Sequence, residues 1–142
     1  NALRGDDGPA AQWLIYPATD FTRSLPSHRH FADALILPKR SMDRFMGDYL
    51  PDPATHADPL ASPLFASELR GVAHAVVQTA GFDPLRDEGL AYAEVLRVAS
   101  VPVTVAHAKT LVHGFFSMAG VLPAGHAARA EAIGELARGV RA

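Results

Sequence analysis

Ala75-Val-Val-Gln-Thr79-Ala-Gly-Phe-Asp83-Pro-Leu-Arg-Asp-Glu88-Gly-Leu-Ala-Tyr92-Ala-Glu-Val-Leu96-Arg-Val-Ala-Ser100 is the stretch that decides the fold. It opens with a short apolar run, Ala75–Thr79, that shows no strict alternation. Such a run suits a strand covered on both faces in a parallel sheet. After a turn read at Ala80-Gly81-Phe82, the period changes to that of a helix over Pro84–Ala99. Leu85, Gly89, Tyr92 and Leu96 share one side, while Arg86, Asp87, Glu94 and Arg97 largely face water. Pro84 belongs in the first turn of that helix, where its missing N–H costs nothing.

Two further apolar runs, Gln12–Tyr16 and Val103–His107, read as strands of the same kind. The spacing of Met42, Phe45, Met46 and Tyr49 predicts a helix over Ser41–Leu50 with one apolar face. A last helix is expected over Ala124–Val140, with Ala130, Ile133, Ala137 and Val140 as its buried stripe and Gly134 as a weak point of about 1 kcal/mol. The Pro-rich residues 51–63 read as a long surface loop. Strands alternating with helical segments imply crossover connections and a parallel α/β sheet. An exposed Trp13-Leu-Ile-Tyr16 edge would invite aggregation, so this run is expected to be an inner strand with a neighbour outside this stretch of sequence.

The 142 residues are the size of one domain and can bury a core. A hydrophobic fraction of 49% with 20% charged residues is ordinary for a globular protein. The formal charge of −2 comes without a basic stripe, which excludes the usual nucleic-acid footprint. No apolar run approaches the roughly 20 residues that cross a bilayer. A cytoplasmic setting is expected, with any targeting segment lying upstream of Asn1. The absence of cysteine rules out disulfides and thiolate metal sites.

Functional groups in open α/β sheets gather at the carboxyl ends of the strands. Asp83 follows one strand through Ala80-Gly81-Phe82, and His113 follows the next through the loop 108–112. They would emerge on one edge from adjacent strands, where a carboxylate fixes the imidazole tautomer and frees the other nitrogen to take a proton. Each residue also has a plainer reading. Asp83 before Pro84 is a good helix N-cap, and His113 before Gly114 is an ordinary turn residue. His28-Arg-His30 with Asp33 imitates a metal cluster, but its Pro/Ser surroundings favour a solvated or cap-facing loop.

The residues from Thr79 to Ala93, followed by Val101-Pro-Val-Thr104 and Val112-His-Gly-Phe-Phe-Ser-Met118, resemble the hormone-sensitive-lipase family of α/β-hydrolases. Leu14-Ile-Tyr-Pro-Ala-Thr-Asp20 and Asp58-Pro-Leu-Ala-Ser-Pro-Leu64 are similar to it as well. The resemblance spans nearly the whole chain, in order, and the thirty positions between Asp83 and His113 suit the family. It implies the C-terminal part of one α/β-hydrolase domain with an incomplete sheet. Residues 17–70 would be an excursion contributing to cap or pocket, and residues 71–142 the region of the acid and base.

The resemblance further implies that Asp83 is the triad acid and His113 the general base of a serine carboxylesterase acting on short- to medium-chain acyl esters, without a cofactor or metal. Arg86, Asp87 and Glu88 look structural, the two acids lying where a helix dipole favours negative charge. Phe31, Met42, Phe45 and Met46 are candidates for the substrate pocket. The family's nucleophile sits in a Gly-Asp-Ser-Ala-Gly-Gly elbow and its oxyanion hole includes a His-Gly-Gly-Gly loop; neither string occurs here. None of Ser24, Ser27, Ser41, Ser62, Ser67, Ser100 and Ser117 has a Gly-x-Ser-x-Gly setting. An N-terminal half carrying the Ser elbow, in the same or a separate chain, is therefore the expected partner, and Asn1–Gly8 resembles the tail of the segment after the elbow. Homodimer formation through residues 101–110 and 124–140 is implied too. The alternative is a catalytically silent fragment or binding subunit. Ser100 stands where the family commonly has a helix-ending Gly, Gly71-Val-Ala-His74 replaces Gly-Leu-Pro-Pro, and Ala108-Lys-Thr110 departs from the usual approach to the His loop.

Overall fold

The computed structural model describes residues 8–141; the expectation for Asn1–Gly8 therefore lies, but for Gly8, outside the described residues. Three strands, β1 (Ala11–Ile15), β2 (His74–Phe82) and β3 (Val103–Val112), form one sheet in the order β1-β2-β3. Both pairings are parallel, Trp13 lying opposite Val76 and Val77 opposite Val105. Among the described residues four α-helices accompany them: α1 (Ser27–His30), α2 (Lys39–Tyr49), α3 (Arg86–Val98) and α4 (Pro123–Arg141). The inner position belongs to β2. Among the described residues β1 has β2 as its only partner strand, so an inner place for Trp13–Tyr16 rests on sequence outside them.

Alternate residues of β2 face opposite layers, which is why the run lacks a polar face. Ala75 and Val77 pack with Tyr92, Ala93 and Leu96 of α3 and with Val101. Val76 packs the other way with Ala106 of β3 and Ala132 of α4, flanked by Trp13 and Leu136. Burial on both sides makes β2 the core of the molecule, each large apolar side chain there contributing about 1.5–3 kcal/mol.

Two segments expected to leave the sheet remain in it. Ala80-Gly81-Phe82 is the end of β2, and residues 108–112 are the end of β3, with Ala80 opposite Ala108 and Phe82 opposite Val112. The register slips between Ala80 and Phe82, a bulge that brings the chains so close that a Cβ on Gly81 would stand 1.8 Å from the carbonyl oxygen of Lys109. Only glycine fits that approach. Thr110 is thus a strand residue with no positive φ to adopt.

The stripe expected on α4 is reversed. Ile133 and Val140 are about half exposed, and the helix instead buries Gly125 and Ala132. Its packing face is set by small residues. A Cβ on Gly125 would meet the Phe115 carbonyl oxygen at 2.9 Å, and one on Gly139 would overlap the His74 ring. Close approach, rather than the largest apolar groups, chooses the face. Residues 51–66 run as an irregular segment carrying two proline-initiated 3-10 turns, Pro53–Thr55 and Pro63–Phe65. The segment is tied to the strand ends by Leu64 N–H donating to the Thr19 carbonyl at 3.1 Å and Phe21 N–H donating to the Ser62 hydroxyl at 2.8 Å.

Candidate active site

β2 and β3 are adjacent, parallel and nearly equal in reach, so the residues just past their ends meet. Asp83 follows Phe82 directly and His113 follows Val112 directly. Nδ1 of His113 donates to Oδ2 of Asp83 at 2.8 Å, with the acid fully buried and the imidazole about one-fifth exposed. The other oxygen, Oδ1, accepts from Leu85 N–H at 2.9 Å, and the Asp83 carbonyl accepts from Arg86 N–H at 3.1 Å. The N-cap reading of Asp83 is corrected: the N-cap of α3 is Leu85, without a side-chain cap bond, Pro84 precedes the helix, and Asp83 closes the turn that leads into it. One carboxylate oxygen organises the start of α3, and the other holds the histidine. Gly114, at φ +80°, turns the chain immediately after His113, a conformation that favours glycine.

His113 lies on a cleft of about 310 Å³ between the sheet end and α2. Met42, Phe45, Met46 and Tyr49 line it together with Leu37, Phe21 and Leu85. The apolar face of α2 is thus a cleft wall rather than helix core: Met42 is buried, but Phe45 is 59% exposed and Tyr49 70%. Phe31 is placed elsewhere. It packs edge-on to Phe82 with the Arg86 guanidinium 5.2 Å above its ring, and it is absent from the cleft lining.

Another part of the cleft wall is built on Glu88, whose place near a helix N-terminus suggests only a partner for the helix dipole. Glu88 is fully buried, and its Oε1 accepts from the backbone N–H groups of Thr19 at 2.5 Å and Asp20 at 3.1 Å. Its Oε2 lies 2.5 Å from Nε2 of His28. Burial pushes the Glu88 carboxyl above its ordinary range, against the pull of His28 and the two N–H donors. The signal was available: Glu88, Tyr92 and Leu96 are spaced i, i+4, i+8, which puts a carboxylate on the buried stripe of α3. His28 is correspondingly buried in α1 instead of solvated in a loop, and among the described residues no three His, Asp or Glu groups are placed to hold a metal ion.

Further polar contacts stitch the excursion to the start of α3. Ser27 donates its hydroxyl to the Pro84 carbonyl at 2.6 Å and its N–H to Asp87 at 2.9 Å. Asp20 is buried, which opposes its ionisation, yet the Ser24 and Thr22 hydroxyls and N–H groups hold its carboxyl below the ordinary range. Among the described residues three non-glycines have positive φ; Arg23 (φ +55°) lines this cleft, and Tyr16 (φ +37°) stands against His113. Such conformations cost on the order of 1–3 kcal/mol each and tend to cluster at functional sites. Tyr16 also packs its ring 4.3 Å, centroid to centroid, from His113.

Comparison with known proteins places the chain in a wider group. A family model described as alpha/beta hydrolase fold matches residues 2–117. The chain is 45% identical over 115 residues to the carboxylic ester hydrolase LipN of Mycobacterium tuberculosis, covering 80% of this chain and 31% of that protein. It is 38% identical over 134 residues to carboxylesterase NlhH of the same organism, covering 92% and 42% respectively. Among solved structures it superposes with a TM-score of 0.87 on the ester-hydrolase EH1AB1 from the metagenome of Lake Arreo, at 43% identity, over 95% of this chain and 43% of that one. A Pyrobaculum calidifontis esterase gives a TM-score of 0.88 at 33% identity, over 98% and 46%. The chain spans between about a third and somewhat under half the length of these relatives.

Proposed function

The chain belongs to the α/β-hydrolase family, in its hormone-sensitive-lipase branch, and from that premise we propose that it supplies the acid and base of a serine carboxylesterase. One observation carries the reading: His113 is held through Nδ1 by the buried Asp83 at the end of adjacent strands, on the rim of an apolar cleft. With Nδ1 engaged, Nε2 is the nitrogen left for proton transfer.

A serine hydroxyl from sequence beyond these residues would attack the ester carbonyl while His113 accepts its proton. The imidazolium so formed is stabilised by Asp83. It then protonates the leaving alcohol, and water deacylates the serine by the same route in reverse. Backbone N–H groups of the partner half would hold the oxyanion. Met42, Phe45, Met46 and Tyr49, apolar side chains lining the cleft beside His113, would receive a short- to medium-chain acyl group.

No serine hydroxyl is hydrogen-bonded to His113 among the described residues, which supports the second reading, that this chain alone performs no turnover. A fluorophosphonate probe separates the two. It is expected to leave the purified chain unlabelled and to label the complete protein, in which His113→Ala should lower ester turnover at least about 1,000-fold. Near-normal hydrolysis by that variant would overturn the assignment, and labelling of the isolated chain would overturn the need for a partner half.

A further inference from the structure

Tyr16 is the last place where an unconstrained chain would put a tyrosine. Its φ of +37° lies in the left-handed region that favours glycine, and the residue precedes Pro17, which disfavours helical conformations of either hand. Two contacts hold it there. Its N–H donates to the Gln78 carbonyl at 2.6 Å, extending the β1–β2 pairing by one residue, and Pro17 packs against α3 at Gly89. A glycine would meet both demands without strain, so the side chain is what the position retains.

That side chain faces the histidine. The Tyr16 and His113 rings are 4.3 Å apart between centroids and tilted by 54°, and the tyrosine is braced from behind by Phe115, edge-on at 5.7 Å and fully buried. Asp83 holds one atom of the imidazole, and a single hydrogen bond leaves the ring free to rotate about that contact. An aromatic plane against the imidazole removes this freedom. Asp83 reaches His113 from the end of β2, Tyr16 from the end of β1, and Asp20, Arg23, His28 and Glu88 share the cleft with it.

We propose that Tyr16 is a positioning residue, a strained aromatic platform that fixes the plane of the His113 imidazole so that Nε2 meets the nucleophile. The inference rests on the reading of His113 as general base. Its cost in backbone strain and its benefit in ring orientation sit on one residue, which is the arrangement expected where strain is kept for function.

The test uses the complete protein and three variants. Tyr16→Phe keeps the platform and should hold kcat within about twofold of the parent. Tyr16→Leu removes it and should lower kcat on the order of 10- to 100-fold, with KM little changed, because a misplaced catalytic group costs rate rather than binding. Tyr16→Gly relieves φ and separates folding from positioning: it should fold at least as readily as Tyr16→Leu and show the same loss of kcat. Proton NMR supplies a reading without turnover. The His113 ring protons should carry a ring-current shift that survives Tyr16→Phe and disappears in Tyr16→Leu and Tyr16→Gly. Unchanged kcat in Tyr16→Leu, or ring-proton shifts indifferent to all three variants, would overturn the proposal. Full activity in His113→Ala would instead remove the base reading without touching the ring-current result, which is read on proteins that keep His113, so the two failures are distinguishable.

Discussion

Glu88 places Oε2 2.5 Å from Nε2 of His28, and both side chains are withdrawn from water. The same carboxylate accepts from Thr19 and Asp20 N–H, so one side chain on α3 anchors three points of the excursion that forms the cleft wall. Removing one partner of a buried pair leaves the others without compensation. Glu88→Ala should therefore destabilise the protein by about 3–5 kcal/mol, measured by urea unfolding. A loss below about 1 kcal/mol would show that water replaces the carboxylate freely.

The pH dependence at this site has a defined sign. Burial raises the Glu88 carboxyl from its ordinary 4.5, so the folded protein binds that proton more tightly than the unfolded chain. Its contribution is full below pH 4.5 and is lost as pH rises through the elevated folded value. Glu88→Gln does not titrate. The stability difference between Gln variant and parent should tilt toward the Gln variant as pH is raised from about 4 to about 7. A difference that stays constant across this range would place the carboxyl's proton affinity at its unfolded value.

Asp83→Asn preserves shape while changing what Oδ2 can accept. The amide can donate to His113 and so select the wrong tautomer, and turnover by the complete protein should drop roughly 1,000- to 10,000-fold. Folding should suffer less, because the group that faces Leu85 N–H can still accept. Circular dichroism near the parent's, with kcat lost, is the expected combination; activity within about tenfold of the parent would show that Asp83 serves the helix and not the histidine.

Ser100 ends α3 with φ +63°, following the cap at Ala99, and its N–H donates to the Arg97 carbonyl at 2.9 Å. Where the resembled family commonly has a helix-ending Gly, the serine carries the strain of the left-handed conformation. Ser100→Gly should stabilise the protein by about 0.5–1 kcal/mol, seen as a raised denaturant midpoint with unchanged activity. A lowered midpoint would mean that the extra freedom of glycine in the unfolded chain outweighs the relief.

What the sequence disclosed, it disclosed through periodicity and strand ends. The runs at 75–79 and 103–107 located β2 and β3, and their adjacency put Asp83 beside His113. The strands run past the apolar stretches that mark them: Ala80-Gly81-Phe82 reads as a turn and 108–112 as a loop, whereas the bulge uses the missing Cβ of Gly81 to keep pairing to Val112. The face of α4 was misplaced for a related reason: closeness of backbone leaves no hydrophobic signature. Phe31 packs under the Arg86 guanidinium and edge-on to Phe82, because a ring near the sheet end can stack on a cation as readily as line a cleft. Glu88 and Tyr16 were passed over since charge implies exposure and a tyrosine gives no hint of its φ.

The wall of α2 offers the last test. Met42 is buried at the base of the cleft and Phe45 stands largely exposed at its side, so the two should govern different properties. Phe45→Ala removes apolar surface from an open wall. It should raise KM for medium-chain esters several-fold while leaving acetate esters and stability nearly unchanged, since each acyl methylene buried is worth about 0.8 kcal/mol. Met42→Ala opens the base and should cost about 2–5 kcal/mol of stability, because the cavity it leaves is only partly filled by collapse. If the acyl chain runs along α2, a Met42→Ala protein that still folds should extend its preference toward longer chains. Initial rates on a series of p-nitrophenyl esters separate these outcomes. An unchanged chain-length profile in both variants would show that the acyl group lies away from this helix.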